Sequence, residues 1–294
     1  MSGTRSDVAL EDGSLAVHRW GEPDGPVVVA VHGITGNGQA WRPLARALDG
    51  QATVLAVDLR GRGRSRELPG PYGLDTHVRD LLAVLDAHDL DKAVFAGHSL
   101  GGYILARLGV KHPERVQELV LVDGGLRIPG SQTSGPQAFL DAFLGVTLSR
   151  LSLRFASPED YYAWWRTHPA FAGGEVADAD LEAFAQNDLV GSPPELSSSV
   201  REDAVRADGA DVILGEDDAA ELGVRATHLC APLGLQGEPS PMQPLELVER
   251  WAAGAPELRR ALQVPDVNHY TIVMSDPGAS AVAGAVRDRL AARS

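Results

Sequence analysis

Short apolar runs rich in β-branched residues recur along the first part of the chain, with longer segments of mixed polarity between them. The runs are Val27–Val31, Thr53–Val57, Ala93–Ala96 and Val116–Val122. Because nearly every position in them is apolar, they predict strands buried on both faces of a sheet. The segments between the first three runs carry apolar residues at helical spacing, and an apolar helix after the third run is predicted to end at Pro113. This alternation predicts an α/β fold, a doubly wound and mostly parallel sheet with ligand sites beyond the carboxyl ends of its strands.

The pattern changes between residues 128 and 224, where aromatic residues gather and the short strand runs disappear. Ser157-Pro158-Glu159-Asp160 in this stretch is typical of a helix start. From residue 225 onward, alternating strand-like and helix-like segments resume. The sequence therefore predicts a core domain formed by residues 1–127 and 225–294, interrupted by a mainly helical cap or lid at 128–224.

Charge excludes several classes of partner. The chain has 294 residues with 26 basic and 40 acidic side chains, for a net charge of −14, and no cluster of Lys and Arg stands out. Nucleic acid and anionic membrane surfaces need such a cluster, so neither is an expected partner. No stretch is long and apolar enough to span a bilayer, the first residues lack the features of a signal peptide, and Cys230 has no second cysteine to pair with. We expect a cytoplasmic protein.

The strongest candidate for chemistry is Ser99. It lies in Gly97-His98-Ser99-Leu100-Gly101, between an apolar strand and an apolar helix. A sharp strand-to-helix turn of this kind presents a serine hydroxyl at its apex, where the N-terminus of the following helix favours a developing negative charge. The hydroxyl becomes a good nucleophile only when a base accepts its proton. Ser99 is therefore the predicted nucleophile.

A base and two oxyanion donors can be placed around it. His269 follows the last apolar strand on a loop and is the preferred base among nine histidines. His32-Gly33-Ile34 follows the first buried strand directly, so the Ile34 N–H is positioned to bind an oxyanion together with the Leu100 N–H. The loop from Asp58 to Ser65 contains no nucleotide-binding motif and is interpreted as a structural turn.

These motifs, in this order and spacing, resemble those of the α/β-hydrolase superfamily. The resemblance spans nearly the whole chain apart from the aromatic-rich insertion, which matches the position of that family's variable cap. It implies an α/β-hydrolase fold and a Ser-His-acid triad, with no metal and no organic cofactor. It does not select a substrate, because esterases, lipases, lactonases, thioesterases, C–C bond hydrolases and cofactor-free haloperoxidases share the motifs.

The acid of the triad departs from the family pattern. That acid is commonly an aspartate about three residues past a glycine, after the strand that follows the cap. Here neither Gly234 nor Gly237 has an aspartate at that spacing, and Glu238 is the only carboxylate in the stretch. Glu238 is the preferred acid. Asp123, which ends the strand after the nucleophile helix, is the alternative, and it also fits a turn-forming role.

The leading hypothesis is a serine hydrolase that cleaves an ester, thioester or lactone of a small-molecule substrate through an acyl-enzyme. C–C bond hydrolysis, perhydrolysis and a non-catalytic ligand-binding protein of the same fold stay open, as does a homodimer. Trp164, Trp165 and His98 are candidate substrate-binding residues. The acidic run from Glu202 to Glu221 predicts an entrance that disfavours anions, and hence a neutral apolar substrate.

Overall fold

A computed structural model describes residues 3–22, 25–128, 130–131 and 135–290. The predicted domain ranges also include positions outside these residues, and the boundaries themselves stay a prediction. The strands are β1 (Thr4–Leu10), β2 (Gly13–Trp20), β3 (Val27–Val31), β4 (Thr53–Val57), β5 (Ala93–His98), β6 (Val116–Val122), β7 (Leu189–Val190), β8 (Ser197–Ser198), β9 (Ala226–Cys230) and β10 (Arg259–Gln263). The helices are α1 (Arg42–Leu48), α2 (Leu74–Ala87), α3 (Leu100–Lys111), α4 (Pro136–Ser149), α5 (Pro158–Thr167), α6 (Asp178–Asp188), α7 (Glu202–Leu214), α8 (Asp218–Glu221), α9 (Leu245–Ala253), α10 (Thr271–Met274) and α11 (Asp276–Leu290).

Within the described residues, eight strands form one sheet in the order β1-β2-β4-β3-β5-β6-β9-β10. The six strands β4, β3, β5, β6, β9 and β10 run parallel to one another. Strand β2 pairs antiparallel with both β1 and β4. The chain passes from β3 to β4 on one side and then returns to β5 on the other side of β3. Ligand sites of open α/β sheets lie at such a reversal, beyond the carboxyl ends of the strands. This locates the candidate site between the loops that follow β3 and β5.

Two apolar layers cover the sheet. One contains Trp41 and Leu44 near α1 together with Val282 of α11, and the other contains Leu81 of α2 and Ile104 of α3. The central strands β3 to β6 are buried at nearly every position, as their continuous apolar runs predict. Helices on both faces hold the carboxyl ends of these strands in fixed positions.

The antiparallel β1-β2 hairpin is an element that the periodicity did not predict. Leu10 pairs with Gly13 across the turn, and β1 is largely exposed. An edge strand with one exposed face carries a weak apolar signal, because only alternate residues such as Val8 are buried.

The segment between β6 and β9 contains α4 to α8 and the small β7-β8 ladder. The predicted start of α5 is confirmed, since the Ser157 hydroxyl accepts a hydrogen bond of 3.1 Å from the Asp160 N–H. We call residues 128–224 the inserted segment. Among the described residues, no helix has the length and apolar character that crossing a bilayer requires.

Candidate active site

Ser99 occupies a strained turn between β5 and α3. Its φ of 52° and ψ of −117° place a non-glycine residue in a sparsely populated backbone region, a conformation that persists only where the surroundings hold it. The Ser99 N–H donates to the Val122 carbonyl oxygen at 3.0 Å. A side chain at Gly101 would collide with the Val31 carbonyl, so the turn can pack against β3 only because this position is glycine. The strand-turn-helix setting expected for Ser99 is present.

His269 is held by Asp123. Its Nδ1 lies 2.7 Å from the Asp123 Oδ2, and both side chains are buried. A carboxylate can only accept, so the imidazole Nδ1 carries the proton and Nε2 keeps a lone pair. The other carboxylate oxygen, Oδ1, accepts from the Ala231 N–H at 3.1 Å. With both oxygens engaged, Asp123 fixes the tautomer and the orientation of the ring.

The preference for Glu238 is corrected by this geometry. The Glu238 Oε2 accepts from the Gln236 N–H at 2.7 Å, within its own loop. Asp123 reaches the imidazole because β6 lies directly between β5 and β9, and because its φ of 47° turns the chain at the strand end. The alternative acid, Asp123, therefore contacts the His269 imidazole in the place where Glu238 was expected. It also accepts a hydrogen bond from the backbone N–H of Ala231.

The loop that carries His269 is tied down on several sides. The Asn268 side chain donates to the Ala170 carbonyl of the inserted segment at 2.8 Å, and its oxygen accepts from the Thr271 N–H at 2.9 Å. His98 Nε2 lies 2.7 Å from the His269 carbonyl oxygen, and the two imidazole rings are 4.7 Å apart. Burial lowers the pKa of His98 well below its usual value, so the ring is neutral and Nε2–H is the donor. This nitrogen of His98 is engaged by the backbone, although the residue also borders the cavity.

Two backbone N–H groups are available for an oxyanion. Leu100 is the first residue of α3, where an N–H has no partner inside the helix. Neither the Leu100 N–H nor the Ile34 N–H donates a hydrogen bond to another described residue. The Ile34 carbonyl accepts from the Arg62 Nε at 3.0 Å, which fixes the peptide that follows Ile34. Both donors lie at the carboxyl end of the sheet, Ile34 in the loop after β3 and Leu100 at the start of the helix after β5.

The loops after β3 and β4 are held together by hydrogen bonds of His32 and Asp58. His32 accepts the Leu59 N–H through Nε2 at 2.9 Å, and burial lowers its pKa to about 4. Asp58 accepts from the Gly38 N–H at 2.7 Å and from the Arg64 N–H at 2.8 Å. These bonds agree with the structural interpretation of the loop from Asp58 to Ser65.

A cavity of about 380 Å³ opens above Ser99 and His269. Its apolar and aromatic lining includes the predicted pair Trp164 and Trp165. Among the described lining residues there is no Asp or Glu, and Arg150 is the residue with a permanent positive charge. The Arg150 guanidinium pairs with the buried Asp188 carboxylate at 2.8 Å, so its charge is balanced. The cavity is suited to a largely apolar molecule.

The acidic run from Glu202 to Glu221 does not border this cavity, contrary to expectation. Its carboxylates serve as partners elsewhere: Asp208 pairs with Arg62 at 2.6 Å, and Asp218 pairs with Arg107 at 2.8 Å. A third, Asp211, accepts from the Leu74 N–H at the start of α2. The run holds the inserted segment against the core and gives no reason to exclude anions from the site.

Other chemistries find little support in the described residues. They contain no group of three or more His, Cys, Asp or Glu side chains that could hold a metal ion. Cys230 is buried, and burial raises the pKa of its thiol to about 12, so the reactive thiolate is scarce at neutral pH.

The family model described as the alpha/beta hydrolase fold matches residues 26–185, more than half of the chain. This chain belongs to the alpha/beta hydrolase fold family. RutD of Caulobacter segnis, named as a candidate carbamate hydrolase, is 40% identical over 113 residues, which cover 38% of this chain and 42% of RutD. Lipase LipV of Mycobacterium tuberculosis is 34% identical over 183 residues, 61% of this chain and 63% of LipV. The chain thus spans less than two thirds of either relative.

The structures of alpha/beta hydrolases agree with the fold over the full length. The crystal structure of E-2-(acetamidomethylene)succinate hydrolase superposes with a TM-score of 0.79 at 19% identity and covers 99% of this chain and 100% of that one. At this identity the likeness concerns the fold alone.

Arg150 and His168 are among the cavity residues that were not predicted from the sequence. Both belong to the inserted segment and line the cavity. No motif surrounds either of them. A lone Arg or His beside aromatic residues is equally typical of the protein surface, so nothing in the sequence places them in a cavity. Their position is shown only by the cavity that they line together with Ser99.

Proposed function

We propose that this chain is a serine hydrolase that cleaves a carboxylic ester, thioester or lactone through an acyl-enzyme. The observation that carries the proposal is the buried 2.7 Å contact between His269 and Asp123, with His269 lining the same cavity as Ser99 on its strained turn. A nucleophile, a base with a free lone pair and an acid that orients the base form the constellation that activates a serine hydroxyl.

In the proposed reaction, the Ser99 Oγ attacks the substrate carbonyl while His269 Nε2 accepts its proton. The Ile34 and Leu100 N–H groups stabilise the oxyanion of the tetrahedral intermediate. His269 then donates the proton to the leaving oxygen or sulfur, which leaves an acyl group on Ser99. A water molecule, deprotonated by the same nitrogen, hydrolyses this ester and restores the serine. Asp123 stays ionised and stabilises the imidazolium that forms in each half-reaction.

The names of the relatives agree with attack on a carbonyl carbon. A lipase cleaves esters, as LipV's name implies, and a carbamate has the same kind of acyl carbon. The apolar lining and the balanced charge of Arg150 favour a small, uncharged acyl group over a phosphate or sugar substrate.

The test is hydrolysis of a panel of p-nitrophenyl esters, thioesters, lactones and a carbamate by the wild type and by Ser99→Ala. We expect Ser99→Ala to lower kcat by at least about a thousandfold on every substrate that the wild type cleaves. The control Ser240→Ala removes an exposed serine outside the cavity and should keep full activity. A Ser99→Ala protein with more than a tenth of the wild-type rate would refute the proposal.

A further inference from the structure

His168 lines the cavity, and its ring nitrogen Nε2 makes no hydrogen bond to another described residue. It lies between α5 and the short 3-10 turn Pro169–Phe171, and its ring packs near Trp164 at 5.4 Å and Trp165 at 5.5 Å. Its Nδ1 accepts a hydrogen bond of 3.2 Å from the Ala170 N–H and so caps the 3-10 turn. Because Nδ1 accepts, the proton of the neutral ring is on Nε2.

The ring is neutral, and Nε2–H donates to no described residue. Burial, assisted by the positive charge of Arg150, lowers the pKa of His168 below its usual value. No lining carboxylate is present among the described residues to accept the Nε2 proton. An acceptor oxygen on a ligand in the cavity would take the place of water at this donor.

The position of His168 relative to Ser99 defines which part of a ligand it meets. The ring of Tyr270 lies 5.8 Å from that of His269 and 5.9 Å from that of His168. His168 is therefore separated from the proposed catalytic imidazole by one aromatic ring. A molecule whose carbonyl reacts at Ser99 would reach His168 with a part that lies several bonds away from that carbonyl.

The charges of the lining residues favour a neutral hydrogen-bond acceptor on the ligand over an anionic one. Arg150 is the nearest cation, but it is bound to Asp188 at 2.8 Å and to the Thr35 carbonyl at 3.1 Å. An anionic ligand would have to compete with the buried Asp188 carboxylate for that charge. A neutral oxygen needs only the N–H of His168.

We propose that His168 is a specificity-determining residue whose Nε2–H donates to an uncharged acceptor oxygen, such as a ketone or ether, on an otherwise apolar acyl group. This rests on the proposed function. The apolar part of the acyl group would pack against Trp164 and Trp165, with the scissile carbonyl at Ser99. The site would thus distinguish an oxo-acyl ester from the plain fatty acyl ester of equal length.

The kinetic test compares p-nitrophenyl octanoate with a series of oxo-octanoates in which the keto group moves along the chain. The wild type should prefer one oxo-ester in kcat/KM by about fivefold, the value of one neutral hydrogen bond. His168→Asn keeps an oxygen that can cap the Ala170 N–H but lacks the outer donor, so the ratio of kcat/KM between the oxo-ester and octanoate should fall to about one. His168→Gln places an N–H near the position of Nε2 and should keep the preference.

An unchanged preference in His168→Asn, or an equal loss on all esters, would overturn the assignment. So would a stronger preference for the monoester of a dicarboxylic acid, which would indicate an anion site. Binding of the methyl oxo-octanoates and methyl octanoate to Ser99→Ala, followed by NMR, separates this proposal from the proposed function. A binding preference that His168→Asn removes supports the site even if no ester is hydrolysed, and equal binding refutes it. Histidine ¹⁵N shifts that place the His168 proton on Nδ1 would refute it as well.

Discussion

At the scale of single residues, two histidines beside Ser99 have different tasks. His269 exposes a lone pair on Nε2 because Asp123 holds its Nδ1 proton. His98 uses Nε2 to bind the His269 carbonyl oxygen at 2.7 Å. We therefore interpret His98 as a positioning residue, which holds the loop of the base and does not take part in proton transfer.

Replacing His98 should affect kcat and leave KM nearly unchanged. His98→Phe keeps a ring against His269 but removes the donor, and loss of one buried hydrogen bond predicts a fall in kcat of about tenfold. His98→Gln supplies an N–H and should recover most of the rate. Steady-state kinetics on one p-nitrophenyl ester provide the measurement. Equal rates for His98→Phe and the wild type, or a change confined to KM, would contradict this role.

At the scale of elements, the inserted segment is attached to the core through buried charge. Arg62 and Asp208 are both fully buried and lie 2.6 Å apart. Arg62 also donates to the Ile34 carbonyl, so the same side chain connects α7 with the loop that carries a proposed oxyanion donor. Asn187 of α6 donates to Asp58 at 2.9 Å in the neighbouring loop.

Breaking the Arg62–Asp208 pair should cost much more than breaking a surface pair on the same helix. Asp208→Asn leaves the Arg62 charge buried without its partner and should lower the free energy of unfolding by about 3 kcal/mol or more. Asp203→Asn, whose partner Arg201 is exposed, should cost less than about 1 kcal/mol. Urea denaturation of both variants measures the difference. Equal losses of unfolding free energy in the two variants would show that the buried pair does not stabilise the packing of α7 against the core.

The elements of the core could be predicted because their apolar runs are continuous. The runs that predicted β3, β4 and β6 coincide with the strands, and Ser99 follows β5 as expected. The acid could not be predicted in the same way. Counting from Gly234 or Gly237 measures distance along the chain, whereas the contact depends on β6 and β9 being neighbours. Asp123 was recognised at the end of a strand, yet its Asp-Gly-Gly context also fits a turn.

At the scale of the whole molecule, buried neutral histidines make stability depend on pH. Burial lowers the pKa of His32 and of His228 to about 4, and that of His98 well below its usual value. An unfolded chain protonates these rings near pH 6.5. The folded chain does not, so the stability that they contribute is complete above pH 6.5 and falls as the pH drops toward 4.

Around pH 5, each of these three histidines should lower the free energy of unfolding by about 1.4 kcal/mol for every unit by which the pH drops. Urea denaturation at a series of pH values from 7.5 to 5 measures the slope. His228→Leu removes one titrating group and should reduce the slope by about that amount. Leu121→Met, at the position paired with His228 in the sheet, should shift stability equally at every pH. A slope that His228→Leu leaves unchanged would contradict the assignment.

The proposed hydrolysis requires Ser99, His269 and Asp123 to act as one catalytic unit. The direct measurement is kcat/KM of Asp123→Asn beside Glu238→Gln on the best p-nitrophenyl ester, with folding checked by circular dichroism. Asp123→Asn no longer holds the Nδ1 proton tautomer and should lose about three to four orders of magnitude. Glu238→Gln should stay within about threefold of the wild type, because the bond that its carboxylate makes among the described residues is to the Gln236 N–H of its own loop. A large loss for Glu238→Gln together with an active Asp123→Asn would show that Asp123 is not the acid of the triad.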